Sequence, residues 1–466
     1  MPRFGSRGVL LLLSSLVLSS IPVGYLQVVL PLFLNRAGLE PGLIGVLYSV
    51  SGLVTAGLVA FSGVLADRFG RRQFLLWGTA LPICSYGIFA LTTSPSWLLL
   101  ASVIGGVGLA NGAAGAMTAA SFDALLAEHT PPRQRTAIFA VSQALWSLAL
   151  AAGSLAAGLP ELLRQLNPRL GDLDAYRPPF MIIILLAVVA TLVLLPLREL
   201  TTSAGSARAP RPAAAPADRG TNQGSAAAPA DPDLKQRHGW WPRRSLGVIV
   251  RYSAALGMFG LGLGIAVQLL PLWLKLRFGV DEAAMGPWYG AAQLLSLSSV
   301  IVSPWLDRRL GSGTAVMLVH VLGSLCLFAI ALIAPSFEVA AVAVMARTVV
   351  ANMAWPLQQA LLMDRAAPDE RASAAGVGFS VWGVANAVGP VFGGALIQAG
   401  SLELPIVLGG VAYALGGIAF GLGFRRGSPT GELRLVGHGS GVVGQGSHRD
   451  GRQSRDRQGD RSGVSH

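Results

Sequence analysis

Twelve stretches of this chain are each apolar for about 20 residues, the length an α-helix needs to cross a bilayer. In lipid every backbone N–H and C=O must be satisfied within the protein, so a spanning segment is a helix or part of a closed barrel. Long apolar runs without strict alternation point to helices. The expected spans are 8–34, 42–63, 73–92, 97–121, 136–159 and 178–197, then 246–274, 284–304, 313–334, 338–363, 372–399 and 403–424. Only 12% of residues are charged, against about a quarter in a soluble protein, too few to cover a soluble surface of this size. The start, "MPRFGSRGVLLLLSSLVLSS", imitates a signal peptide, but the apolar run continues to Leu34, about 27 residues, and reads as a spanning helix.

Between the sixth and seventh spans lies "TTSAGSARAPRPAAAPADRGTNQGSAAAPADPDLKQRHG", rich in Ala, Pro, Ser and Gly and without aromatics. It cannot bury enough apolar area to fold and is expected to be a disordered linker. The expected organisation is a six-helix bundle over 1–198, a linker over 199–245, a second six-helix bundle over 246–425 and a disordered tail over 426–466. Arginines set the orientation. The turns holding Arg68, Arg71 and Arg72, Arg133 and Arg135, Arg308 and Arg309, and Arg365 and Arg371 fall on the side of the N-terminus. The opposite turns near Ser94, Pro335 and Gly400 carry no Lys or Arg; the loop from Pro160 to Pro179, with Arg164, Arg169 and Arg177, is a modest exception. The positive-inside rule then places both termini in the cytoplasm of a multi-pass protein of the cell membrane.

The halves repeat. "LPLFLNRAG" at 30–38 echoes "LPLWLKLRFG" at 270–279, "LADRFGRR" echoes "WLDRRLG" at 305–311, and "EHTPPRQRTA" at 128–137 echoes "DRAAPDERAS" at 364–373. Gly153, Gly158 and Trp146 correspond to Gly389, Gly394 and Trp382. An even number of spans per half returns the chain to the same side, so the copies are parallel, an arrangement that places substrate near the midplane between them.

"GVLADRFGRR", Gly63 to Arg72, resembles the signature of the major facilitator superfamily between its second and third spans, roughly G-x-L-A-D-R-x-G-R-R. The resemblance covers about 425 residues. It implies an all-α membrane protein of 12 transmembrane helices in two parallel six-helix bundles, working as a transporter. It also implies a conformational role for Gly63, Asp67, Arg68, Gly70, Arg71 and Arg72; for Arg71 and Arg72 the alternative is that they only mark the cytoplasmic side. Gly63 allows close helix approach. Asp67 would complement the N-terminus of the eleventh span, after Pro368-Asp369-Glu370-Arg371, and latch the halves on the cytoplasmic side. The second copy keeps Asp307, Arg308, Arg309 and Gly311. Glu128 and Arg135, with Asp364 and Arg371, occupy matching loops and are expected either to extend the charge network or to be solvated.

No Asp or Glu falls near the middle of a span; Asp123 and Asp364 sit toward one end, Glu338 and Glu403 toward the other. One cation does lie deep. Arg347 is about ten residues into the tenth span, roughly 15 Å, where an unpartnered arginine is costly and is kept for a wet cavity or a partner. Arg347, Ala351, Trp355 and Gln358 recur at helical spacing and form a candidate binding wall of fork donor, aromatic plate and amide; the alternative is a structural arginine. Asn111 corresponds to Arg347 in the repeat, and Gln27 and Gln268 occupy similar places before Pro31 and Pro271. The resemblance implies a cavity lined by spans one, four, seven and ten, so these residues form one candidate constellation; the alternative for each amide alone is an interhelical hydrogen bond. Tyr25, Gln143, Trp146, Gln293, Trp382 and Asn386 are weaker candidates, and His320 is expected to be a core hydrogen-bonding residue.

Two departures weaken drug–proton antiport: Ser102 stands where the family's fourth span carries Arg, and Gly153-Ser154 lacks the proline of the fifth-span antiporter signature. The two cysteines, Cys84 and Cys326, give no disulfide framework, and no zinc spacing, phosphate loop or nucleophile elbow is present. The chain is therefore not expected to be an enzyme, and no cofactor or metal is expected. The expected function is export of small amphipathic or anionic organic compounds by alternating access, with a coupling proton left open. Import of sugars or organic acids is the alternative within transport, and a non-transporting sensor or scaffold is the alternative outside it. Expected partners are a small-molecule substrate and the lipid bilayer, not nucleic acid, with the chain as a monomer.

Overall fold

Proline and glycine decide where these apolar helices start and stop. The computed structural model describes residues 7–106, 112–197, 245–367 and 370–424, and among them it holds helices and no strand. The first half contains α1 (Arg7–Arg36), α2 (Pro41–Phe69), α3 (Arg71–Leu91), α4 (Pro95–Gly105), α5 (Gly112–Glu128), α6 (Arg135–Leu155), the short α7 (Leu159–Leu166) and α8 (Arg177–Leu194). The second contains α9 (Leu246–Ala266), α10 (Leu270–Phe278), α11 (Glu282–Leu295), α12 (Ser299–Leu310), α13 (Ser312–Phe328), α14 (Phe337–Arg365), α15 (Arg371–Gln398) and α16 (Glu403–Gly423). Proline stands in the first turn of α2, α4, α8 and α10, where its missing N–H costs nothing. Gly70, at φ 90°, turns α2 into α3, and Gly311, at φ 77°, turns α12 into α13. Both take a backbone conformation that a side chain would strain, at the same place in the two copies.

Among the described residues, ten helical segments are long and apolar enough to cross a membrane. The two other expected spans fall on broken helices. The fourth is divided between α4 and α5 around residues 107–111, which lie outside the described residues, and the eighth is divided between α11 and α12 by a single 3₁₀ turn at Ser296–Ser298. The expected seventh span also breaks, at 267–269, where Pro271 removes an N–H from the ladder. The expected tail lies outside the described residues, as does the linker except Ser245.

Close packing rests on small residues, and the repeat explains their places. A Cβ on Gly153 of α6 would meet the α1 backbone at Tyr25 N, 2.8 Å away, and a Cβ on Gly389 of α15 would fall 2.5 Å from the α9 backbone at Gly264. Corresponding glycines thus bring corresponding helices together in each half. Between the halves, α2 packs on α15 and α6 on α11. Gly52 faces Ala387, Gly394 approaches Gly45, and Gly286 and Gly290 of α11 lie against Ser154 and Leu155. These seams lie toward the end of the bundle opposite Arg7, here the far end; the end holding Arg7, Gly70 and Gly311 is the near end.

Candidate functional site

A cavity of about 400 Å³ lies between the halves, walled by Gln27 of α1, Tyr48 of α2, Trp146 of α6, Gln268 at the α9–α10 break, Tyr289 and Gln293 of α11, Arg347, Asn352 and Trp355 of α14, and Trp382 and Asn386 of α15. Trp146, Asn352 and Trp355 also wall a second cavity of about 690 Å³, which continues to Ser142 and Gln143 of α6, Ser303 and Pro304 of α12 and Asp123 of α5. Those residues stand in the near-end portions of their helices. The hollow therefore widens toward the near end.

The far end is closed by charge. Arg36, the last residue of α1, meets Asp281 at 2.5 Å and Glu282, at the start of α11, at 3.3 Å. Glu282 is wholly buried and also accepts a hydrogen bond from the Tyr176 hydroxyl. The guanidinium groups of Arg36 and Arg164 lie 5.7 and 5.8 Å from the Tyr176 ring centroid, and Arg164 is itself paired with Glu161 at 2.7 Å. Gln398 of α15 donates to Glu40 and accepts from the N–H of Gly42, and the Val391 N–H donates to Ser49. The Arg36–Asp281, Arg36–Glu282, Tyr176–Glu282, Gln398–Glu40, Gly42–Gln398 and Val391–Ser49 contacts each join one half to the other.

Of the substrate residues expected from the sequence, Gln27, Gln268, Arg347 and Trp355 share the central cavity, along with Trp146, Gln293, Trp382 and Asn386. Gln143 lines only the wider cavity, and Tyr25 is buried among the first-half aromatics, edge-on to Phe180. Gln358 is not in the wall. It is fully buried and its amide meets His320 Nε2 at 3.1 Å. His320 Nδ1 lies 2.7 Å from the Val316 carbonyl, so an Nδ1–H donor leaves Nε2 to accept from Gln358. Gln358 lies on the same unbroken α14, and α13 offers its amide a partner. His320 is thereby satisfied inside the core, ringed by Phe259, Tyr413 and Phe420. Asn111 lies outside the described residues.

Arg347 is 5% exposed and makes no ion pair among the described residues; its Nε and Nη2 have no hydrogen-bond partner. Its guanidinium lies 5.6 Å from the Tyr413 ring centroid. Gln27 Oε1, Asn386 Oδ1, Trp382 Nε1 and the hydroxyls of Tyr48 and Tyr289 are likewise buried without partners.

The near-end signature residues divide. Gly63 and Asp67 lie on α2, with their side-chain placement outside the described residues, as are Pro368 and Asp369 of the expected partner turn. Arg71 pairs with Glu128 at 2.5 Å, and Arg72 donates to the Leu195 carbonyl. Asp307 accepts from Ser312, at the start of α13. Arg371 donates to the Ala366 carbonyl at 3.4 Å. Arg68, Arg135, Arg308 and Asp364 are exposed and make no ion pair among the described residues.

Sequence reading missed Tyr48, Tyr289 and Asn352 in the wall, and Arg36, Tyr176 and Glu282 at the far end. The available signal was charge at turns that otherwise lack it, together with the spacing of Glu282, Tyr289 and Gln293, which puts all three on one face of a helix.

Two helical halves closed around a polar cavity at one end define a multi-pass membrane protein of transporter architecture. A family model described as Major Facilitator Superfamily matches residues 12–385, and the chain belongs to that family of transporters. It is 24% identical to an uncharacterized membrane protein of Saccharomyces cerevisiae over 68% of this chain and 72% of that one. It is 27% identical to the class H tetracycline resistance protein of Pasteurella multocida, over 42% of this chain and 45% of that one. Its fold is similar to that of the nucleoside transporter NupG, with a TM-score of 0.63 at 13% identity, covering 90% of this chain and all of that one.

Proposed function

We propose that the chain exports small amphipathic or anionic organic compounds by alternating access, with both termini in the cytoplasm. The observation that carries this reading is the asymmetry of the inter-half hollow: ion pairs and glycine seams seal the far end, and the cavity widens toward the near end. More of the turn arginines stand at the near end (Arg68, Arg71, Arg72, Arg133, Arg135, Arg308, Arg309, Arg365 and Arg371) than at the far end (Arg36, Arg164, Arg169, Arg177 and Arg277), the balance that the positive-inside rule asks of a cytoplasmic face. On this orientation the structure is inward-facing, ready to load from the cytoplasm. The wall suits amphipathic cargo: three tryptophans supply apolar area, amides and hydroxyls supply polar contacts, and among the described residues the only charged one lining the central cavity is Arg347. Similarity to a tetracycline resistance protein supports export over import.

The test is to load cells or everted vesicles with a fluorescent amphiphile and follow its movement, with and without a proton gradient. Outward movement that depends on the chain is expected. Uptake into cells with no efflux arm would overturn the direction.

A further inference from the structure

Arg347 is a base without an acid. No carboxylate lines the central cavity among the described residues, and no ion pair reaches this guanidinium. Its Nε and Nη2 form the side-on edge of the guanidinium, two parallel N–H donors whose spacing matches the two oxygens of a carboxylate. Both atoms are buried and lack partners. A guanidinium edge without a protein partner inside a membrane protein is costly, so a helix that keeps one turns it to a wet cavity where an anion can replace the solvent on it.

The surroundings say what arrives. Behind the guanidinium stands the ring of Tyr413, packed in turn on Phe259 and His320. That wall stabilises the cation through the ring face, yet gives it no counter-charge, because it is built of aromatic rings and an imidazole and holds no carboxylate. In the cavity, the hydroxyls of Tyr289 and Tyr48 are unpaired and can donate to an anion. Eight residues further along α14, about 12 Å, Trp355 stands 38% exposed, edge-on to Phe379 and beside Trp382, whose Nε1 is also unpaired. An anion site at one end and an indole wall at the other select a molecule with those two parts.

Resting on the reading of this cavity as the cargo site, we infer that the substrate class is the aromatic carboxylate: a planar two-oxygen anion held by the Arg347 edge, with a flat apolar body reaching Trp355 and Trp382. A lysine would keep the charge and lose the paired donors.

The experiment compares pyrenebutyrate, pyrenebutyramide and pyrenebutylamine, which share the aromatic body and differ in the head group, by quenching of tryptophan emission in purified protein. Wild type should bind the acid at least about tenfold more tightly than the amide or the amine, the margin expected for a charge-assisted pair. Arg347→Gln should lose roughly a hundredfold for the acid and little for the amide, and Arg347→Lys should fall between them. Equal affinity of wild type for acid and amide, or tighter binding of the amine, overturns the inference without needing any variant to fold. Acid affinity unchanged in a folded Arg347→Gln protein also overturns it. Efflux of the amine or amide but not the acid would refute the carboxylate class while leaving export intact. Tight acid binding without chain-dependent efflux would refute export while leaving the site.

Discussion

Removing Arg36 should open the far end. In the closed arrangement Arg36 faces two acids of the other half: Asp281, whose side chain is 44% exposed, and Glu282, which is wholly buried. The Asp281 pair is near water and is worth at most about 1 kcal/mol. The Glu282 pair matters more, because Arg36→Ala leaves a carboxylate in a dry seam without its counter-charge. Breaking one side of a buried pair costs about 3–5 kcal/mol; the Tyr176 hydroxyl still donates to Glu282, so the lower end applies. Parting the halves admits water to Glu282 and relieves that cost. The equilibrium should therefore move toward the far-open state by about two powers of ten, at about 1.4 kcal/mol per tenfold. Ala157, fully buried in the α6–α11 seam, is the reporter. With Cys84 and Cys326 replaced, Ala157→Cys should react with a membrane-impermeant maleimide much faster in the Arg36→Ala background. The Arg36→Ala/Glu282→Ala double variant removes the stranded charge and should return part of the way. Labelling at the wild-type rate in a folded Arg36→Ala protein would refute the charge-lock argument.

Gln358→Leu should leave ligand affinity unchanged and cost about 1–3 kcal/mol of stability, because His320 Nε2 loses its donor; thermal melting beside the quenching titration separates the two. Arg71→Gln breaks a half-exposed pair with Glu128, so its effect on melting should correspond to no more than about 1 kcal/mol; a larger loss would show that this turn is a structural keystone.

The fold was legible because its physics is one-dimensional. A span must be long, apolar and helical, and arginines mark its ends, so both the helices and the repeat can be read along the chain. The floor of the cavity was legible for a related reason: Arg347 is conspicuous wherever it points, since an arginine in the middle of a span needs an explanation. Gln358 shows the limit. Helical spacing places it within about 20° of Arg347 around an ideal α14, but His320 on the neighbouring helix takes its amide. Which neighbour a polar group finds is a property of packing between helices, and a helical wheel carries no information about it. The far-end lock was hidden likewise. Arg36 and Glu282 are far apart in sequence, and each alone looks like a charge at a helix end.

Glu282, Tyr289 and Gln293 place the lock and the cavity wall on one stripe of α11, and that stripe also packs on α6 of the other half. A movement that frees Glu282 from Arg36 must slide the same helix off Ser154 and carry Tyr289 with it, so gate and cavity change together. The seam gives a test that touches no charge. A Cβ on Gly286 would stand 2.5 Å from the Ser154 carbonyl oxygen and 3.3 Å from the Ala157 Cβ. The first of these is backbone and cannot swing aside. Gly286→Ala therefore wedges the closed seam, with an overpacking cost of about 1–3 kcal/mol, while in the parted arrangement the methyl group meets no such wall. The variant should shift toward the far-open state by about five- to a hundredfold at about 1.4 kcal/mol per tenfold, read by the same Ala157→Cys labelling. It should also weaken pyrenebutyrate binding, since Tyr289 leaves the position it holds beside Arg347's cavity. Faster labelling with binding unchanged would separate the gate from the site and refute their coupling through α11; unchanged labelling would show that the seam yields without opening.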